Sequence, residues 1–296
     1  MSVLKITNLS KSYGMIKAVD NLSLTIEPGQ IYGILGPNGS GKTTTLGMLT
    51  GVLKPDSGAF LWFEGKETHP LKKIGTILET PNFFPYLNAD ENLEIVGHIK
   101  GSENKDFDEI LSLVNLKERR RSKFASYSLG MKQRLAIAAT LIGGPDALIY
   151  DEPTNGLDPQ GIADVRDTLK SVAESGKTVI LASHMLDEVE KICTHVAIIK
   201  NGKLLATGPV GSILSADKSI EIAAGEDKAA LENWLKANPS IKSIDHDGYF
   251  FQCTVDEDFN ITEMSKALSH LQIYPTHIVV RKQKLEEEFL QITSKA

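Results

Sequence analysis

The octapeptide GPNGSGKT, Gly36 to Thr43, permits only one kind of neighbourhood: an apolar strand feeding in and a helix leading out. Gly36, Gly39 and Gly41 carry no Cβ, so the backbone can wrap closely around an anion and aim N–H groups at it. The run Ile31 to Leu35 supplies the strand, and a helix expected from about Gly41 brings its positive end to the same point. Lys42 then reaches the β- and γ-phosphates of a nucleoside triphosphate, and Thr43 turns a hydroxyl toward Mg²⁺. At a glycine frequency of ~7 %, the pattern arises by accident in roughly one chain in a hundred of this length. An ordinary strand-to-helix turn needs a single glycine and leaves Lys-Thr without a task.

Two further apolar runs end in chemistry-bearing residues. DALIYDE, residues 146 to 152, reads as a buried strand delivering two acids to the mouth of a parallel sheet. Asp151 is expected to hold Mg²⁺ through its water shell, and Glu152 to polarise a water in line with the γ-phosphate. A lone Asp-Glu pair is more often a helix cap or a surface turn; a preceding apolar strand and an upstream phosphate loop reverse that preference. TVILA, Thr178 to Ala182, ends at Ser183-His184, where an imidazole can hydrogen-bond the γ-phosphate.

Composition bounds the partners. With 296 residues, 41 % of them hydrophobic and 24 % charged, the chain reads as globular, with one large or two smaller domains. A net charge of -6 argues against a general nucleic-acid binder. Cys193 and Cys253 stand far apart and in no metal-ligand spacing, so both are expected as reduced core thiols in a cytosolic setting. The opening MSVLKITNLSKSYG alternates apolar and polar residues and reads as a strand, not a secretory signal. The longest apolar stretches are strand-sized, short of the ~20 residues that cross a bilayer, so a membrane role must come through a partner.

The order GPNGSGKT, then YSLGMKQR (Tyr127 to Arg134), then LIYDEPTNGLD (Leu148 to Asp158), then ASH resembles the nucleotide-binding subunit of ATP-binding cassette transporters. The middle element is the discriminating one, because many ATPases share a phosphate loop, whereas a signature just ahead of the paired acids belongs to this superfamily. The resemblance implies a phosphate-loop cassette over residues 1–214: an α/β core with a mixed RecA-like sheet, an antiparallel β subdomain and a helical subdomain at about 80–145. It also implies that Tyr13 stacks on adenine, that residues Gly36, Pro37, Asn38, Gly39, Ser40, Gly41, Lys42, Thr43 and Thr44 hold the phosphates, and that Ser128 and Gly130 meet a γ-phosphate. Lys42, Glu152 and His184 are the implied catalytic set, with Thr43, Glu79 and Asp151 on the metal.

Two departures stand out. The signature reads Tyr127-Ser128-Leu129-Gly130-Met131 instead of L-S-G-G-Q, which implies a looser signature and slower turnover. Glu79 occupies the place of the family's glutamine; its carboxylate still offers Mg²⁺ a hard oxygen but adds a charge. The surrounding ETPNFFPYL is similar to the corresponding stretch of bacitracin- and lantibiotic-type exporters.

Each chain has one copy of every motif, so the resemblance implies two half-sites per chain and a head-to-tail pair, homodimeric or with a similar chain, sandwiching two ATP. It implies integral membrane permease subunits as partners, export of a peptide antibiotic, lipid or other hydrophobic compound, and a peripheral place at the cytoplasmic face of the cell membrane. The alternatives are a soluble cassette ATPase acting on DNA or ribosomes, and a module that binds ATP without hydrolysing it. The first would carry a long coiled-coil insertion or a second cassette, and neither is present. Intact Glu152 and His184 oppose the second.

Composition changes near Ser215, after a hairpin marked by Asn201-Gly202. Residues 215–296 read as an accessory α+β domain in β-α-β-β-α-β order, the ferredoxin-like arrangement: strands at Ser219 to Ala224, Ile241 to Asp245, Tyr249 to Val255 and Thr276 to Arg281, helices at Asp227 to Ala237 and Ile261 to Leu271. RNA-recognition modules share this order, and Tyr249-Phe250-Phe251 falls on a central strand. Residues 219–296 carry thirteen carboxylates against eight lysines and arginines, which argues against RNA. The closing LEEEFLQIT resembles the end of cassette subunits that pair with separate export-type membrane proteins. A regulatory, a dimerising and a stabilising role for this tail all remain open.

Overall fold

A computed structural model describes residues 2–78, 82–102, 106–213, 218–225, 227–246, 248–256, 258–282 and 285–294. The chain forms two compact units, Met1–Val210 with Ile292–Ala296, and Gly211–Gln291.

The first unit is built on two sheets. Strands β1 (Leu4–Tyr13), β2 (Ile16–Ile26) and β4 (Ser57–Trp62) pair antiparallel in the order β2-β1-β4. The second sheet has the order β5-β6-β7-β3-β8-β9, with β3 at Ile31–Leu35, β5 at Ile74–Ile77, β6 at Ala147–Asp151, β7 at Thr178–Ser183, β8 at His195–Lys200 and β9 at Lys203–Pro209. Its first five strands run parallel, and only β9 is antiparallel to its neighbour. Parallel strands are covered on both faces, which is why β3 and β7 read as unbroken apolar runs and every residue in them is buried. The β8–β9 hairpin turns on Asn201 and Gly202, at φ 50° and 79°, the left-handed pair a two-residue turn requires.

Helix α1 (Lys42–Leu49) follows β3 and buries Leu46, Met48 and Leu49 completely among the residues of both sheets. Each such side chain contributes about 1.5–3 kcal/mol relative to an exposed one. Helices α2 (Ala89–Lys100), α3 (Asp108–Leu113) and α4 (Leu129–Leu141) lie between β5 and β6 in the chain. Helix α5 (Pro159–Glu174) follows β6, α6 (Leu186–Ile192) follows β7, and the short α7 (Val210–Ile213) starts at the last residue of the unit's continuous part. Ser128 caps α4, and the helix has no exposed polar face along most of its length. Residues Gln133 to Leu141 are all buried, because α4 is packed by α2, α3, α5 and β5 at once.

Helix α2 starts with a reciprocal cap: Asn88 Oδ1 accepts from the Glu91 N–H at 3.0 Å, and Glu91 Oε2 accepts from the Asn88 N–H at 2.8 Å. Asn88→Ala removes one half of that exchange and is expected to destabilise the protein by about 1 kcal/mol. A lowered urea midpoint at unchanged m-value is the readout.

The second unit contains β10 (Lys218–Ala223), α8 (Lys228–Ala237), β11 (Ile241–His246), β12 (Phe251–Val255), α9 (Ile261–His270) and β13 (His277–Lys282), and α10 (Leu285–Ser294) follows. Its sheet is antiparallel throughout in the order β11-β12-β10-β13, the β-α-β-β-α-β arrangement read from the sequence. Leu231, Leu235, Met264 and Leu268 from the helices close its core over Ile220, Ile222, Phe251 and Cys253. Strand β12 begins later than Tyr249. Gly248 turns at φ 98°, Tyr249 is 81 % exposed, and the Phe250 ring lies 4.5 Å from His277, so only Phe251 of the three aromatics enters the central strand. No row of rings forms there.

Candidate functional site

Where β3 ends, the chain folds into the tight loop Gly36 to Gly41 and α1 begins. Two of its glycines are dictated by space. A Cβ on Gly36 would lie 2.3 Å from the Ile199 carbonyl oxygen and 2.4 Å from Ser40 Oγ. Gly41, the residue before α1, sits at φ 107° with the Ala18 carbonyl oxygen 2.2 Å from where a Cβ would be. A buttress behind the loop was not legible in the sequence: the Gly202 N–H donates to the Ser40 carbonyl at 2.9 Å, and the Asp20 N–H donates to the Gly202 carbonyl at 2.8 Å. The β8–β9 turn and β2 thus hold the loop from behind. The residues that do so carry no chemical signal of their own.

Tyr13, Ala18, Asn38, Gly39, Gly41, Lys42, Thr43, Thr44 and Glu152 line one cleft of about 300 Å³. Tyr13 is 49 % exposed at its mouth, with the Lys11 ammonium 5.8 Å from the ring. Lys42 is 6 % exposed, and its Nζ donates to the carbonyls of Gly36 at 2.8 Å and Pro37 at 3.3 Å. It also lies 3.4 Å from Glu152 Oε1. The ammonium is held inside the loop it is expected to serve.

Glu152 occupies φ 49°, in the left-handed region that costs a non-glycine residue on the order of 1 kcal/mol or more. Its N–H donates to the Ala182 carbonyl at 3.0 Å and its carbonyl accepts from the Asn155 N–H at 3.1 Å, which fix the turn. His184 Nδ1 lies 2.8 Å from Glu152 Oε2. An ionised carboxylate only accepts, so Nδ1 carries the proton and Nε2 faces outward from the pair.

Asp151, at the end of β6, has a buried Oδ1 with no hydrogen-bond partner. Burial is the largest influence on its carboxyl and pushes it above the ordinary range; the Thr43 hydroxyl draws it down, neighbouring Glu152 raises it, and Lys42 lowers it. A buried, unpartnered carboxylate oxygen beside a hydroxyl is a donor set suited to a hard divalent cation. Ser40 Oγ, inside the loop, is likewise buried without a partner. Glu79 lies outside the described residues.

Ser128 and Gly130 do not line the cleft. Ser128 is exposed and caps α4, accepting the Met131 N–H at 3.2 Å. Asp158 caps α5 in the same way, accepting the Gly161 N–H at 2.9 Å. The two helix heads meet where a Cβ on Gly130 would lie 3.3 Å from Gly161 Cα, and a turn further on Arg134 pairs with Asp164 at 3.3 Å. The Leu129 side chain reaches to 3.8 Å from where Gly156 would carry a Cβ. The signature segment and the TNGLD turn therefore form one packed ridge, a connection the sequence spacing does not reveal.

Residues 19–155 match the family model described as ABC transporter. The chain is 45 % identical over 215 residues to the bacitracin transport ATP-binding protein of Bacillus licheniformis, covering 70 % of each. It is 36 % identical over 299 residues to an ABC transporter ATP-binding protein of Bacillus subtilis (strain 168), covering 99 % of this chain and 96 % of that one. Among solved structures, it resembles a dimeric post-hydrolysis ATP-binding cassette bound to ADP and Pi, with a TM-score of 0.59 and 29 % identity over 70 % of this chain and 98 % of that one.

Proposed function

Because the chain belongs to the ABC transporter family as its ATP-binding, ATP-hydrolysing subunit, we propose that it works as a head-to-tail pair driving a separate permease for export of a peptide antibiotic, lipid or other hydrophobic compound. The observation that carries the paired reading is the separation within one chain. The cleft gathers Tyr13, Lys42, Thr43 and Glu152, while the exposed Ser128 stands at another helix head with its hydroxyl proton free to meet a neighbour's nucleotide. A second copy turned by a two-fold axis completes both sites.

Within each site the proposed roles follow the geometry. Tyr13 stacks on the base, the loop N–H groups from Asn38 to Thr44 take the phosphates, and Lys42 exchanges its carbonyl partners for β- and γ-phosphate oxygens. Thr43 and Asp151 would hold Mg²⁺, which offsets phosphate charge when bound. Glu152 orients and deprotonates the attacking water, and His184 steadies Glu152 through its Nδ1–H.

No helix among the described residues is long and apolar enough to cross a membrane, so the subunit is proposed to reach the cytoplasmic face through its permease. The similarity to the bacitracin transport protein supports a transport task over one on nucleic acid. The paired-site proposal is tested by the specific ATPase rate against protein concentration. The rate per chain is expected to rise with concentration and to fall by at least about tenfold in Ser128→Ala. A rate per chain that stays constant on dilution and survives Ser128→Ala overturns the paired site.

A further inference from the structure

The Gly211–Gln291 unit holds a cleft that the nucleotide chemistry does not use. It lies between the C-terminal half of α8, the loop after β12 and the first turns of α9, and its volume of about 420 Å³ is that of a small-molecule site. Trp234 from α8, Phe259 from the loop and Met264 from α9 supply its apolar surface. Asp256, Asp258 and Glu263 add three carboxylates, and among the described residues no lysine, arginine or histidine lines it.

The charge balance inside this cleft is uneven. Asp256 is matched by Lys242 at 2.6 Å. Asp258 and Glu263 make no side-chain hydrogen bond or ion pair among the described residues, and the half-buried Trp234 has no partner there for its indole N–H. Two contributions to the potential share one sign. The carboxylates are negative and aromatic faces carry negative quadrupole density, while the negative dipole end of α8 at Asn238 is opposed by the positive end of α9 at Asn260, whose side chain accepts from the Thr262 and Glu263 N–H groups. An anion is repelled by both, and a neutral apolar molecule gains from the rings alone. A cation with an apolar body gains from the unmatched carboxylates and from the rings, and the small concave volume lined by Trp234 and Phe259 suits a single ring or alkyl body with its charged head.

We propose that this cleft binds a small organic cation, an ammonium or guanidinium carried on an aromatic or aliphatic body. The site lies wholly within the C-terminal unit and is independent of the cassette's nucleotide chemistry. It gives the accessory unit a ligand-binding role.

The chain contains two tryptophans, and Trp62 is 3 % exposed with its N–H donated to the Leu49 carbonyl, so Trp234 is the one placed to report binding by fluorescence. Titrating the full chain with phenethylammonium at neutral pH is expected to give a saturable emission change with a Kd of about 1 mM or tighter. Asp258→Asn with Glu263→Gln, two exposed positions, is expected to weaken it by at least about tenfold. Phenylacetate, the same ring with opposite charge, is expected to give no saturable change, and benzyl alcohol at most a response as weak as the double variant's. Trp234→Phe is expected to lose the optical signal while calorimetry still detects the cation. A response that never saturates, an equal response to phenylacetate or benzyl alcohol, or full affinity in the double variant overturns the site.

Discussion

Glu152→Gln is expected to lower ATP hydrolysis by about 10²–10³-fold while leaving ATP binding close to that of the wild type, so that the ATP-bound pair accumulates. The expectation follows from what the substitution keeps and what it removes. A glutamine fills the same space, its amide oxygen can still accept the Nδ1 proton of His184, and the backbone bonds that pin residue 152 to Ala182 and Asn155 are untouched. The capacity to take a proton from water is lost. So is the negative charge 3.4 Å from Lys42, which releases that ammonium toward a triphosphate.

Hydrolysis ordinarily discharges the clamp. To move a pair from 1:99 open to 99:1 closed, ATP must bind the closed form better by about 5.5 kcal/mol, and loss of the γ-phosphate removes part of that difference. With hydrolysis stopped the difference persists. Size-exclusion chromatography with ATP and Mg²⁺ is expected to show a dimer for Glu152→Gln and a largely monomeric wild type after turnover. A variant that stays monomeric at saturating ATP, or that hydrolyses at the wild-type rate, removes Glu152 from the proposed role.

The left-handed backbone at Glu152 marks the boundary of what the sequence discloses. Position and type of this residue are legible: an apolar strand must end somewhere, and an Asp-Glu pair at that end beside a phosphate loop is unusual enough to notice. The strained φ and the His184 hydrogen bond are not legible, because they depend on β6 and β7 being neighbours in register, Asp151 opposite Ala182. The same division holds elsewhere. The β-α-β-β-α-β order of the tail follows from alternating patterns and turn residues, whereas the start of β12 depends on how Gly248 turns and on Phe250 finding His277 from a distant strand.

Helix α4 divides in the same way. Its Ser128 cap is a local signal and is found in place, but its burial on every side reflects four separate neighbours, and no one-dimensional pattern encodes how many elements will surround a helix. The ridge of Gly130 against Gly161, with Arg134 on Asp164, is hidden for the same reason. Each residue is unremarkable until two helix heads are brought together. Long-range pairing decides these features, and local preference only permits them.

Lys42→Ala is expected to weaken ATP binding by roughly 10- to 150-fold, the effect of losing charge-assisted hydrogen bonds worth about 1.5–3 kcal/mol. The position of the ammonium sharpens this expectation. The ammonium is already buried, and its partners are two neutral carbonyls, those of Gly36 and Pro37, plus a carboxylate at 3.4 Å. An arriving triphosphate supplies stronger anionic acceptors at the same place, so the exchange favours binding without moving the lysine far. Alanine leaves the loop glycines and their N–H groups intact, which predicts that some phosphate affinity survives. It also leaves Glu152 with His184 as its only described side-chain partner, a hydrogen bond without an opposite charge, so the carboxylate is expected to repel the γ-phosphate it normally serves. ADP lacks that phosphate and should therefore lose less affinity than ATP. Fluorescent-nucleotide titrations of both ligands check this directly: a larger loss for ATP than for ADP supports the exchange, and equal affinities for wild type and Lys42→Ala would show that the loop binds phosphate without its lysine.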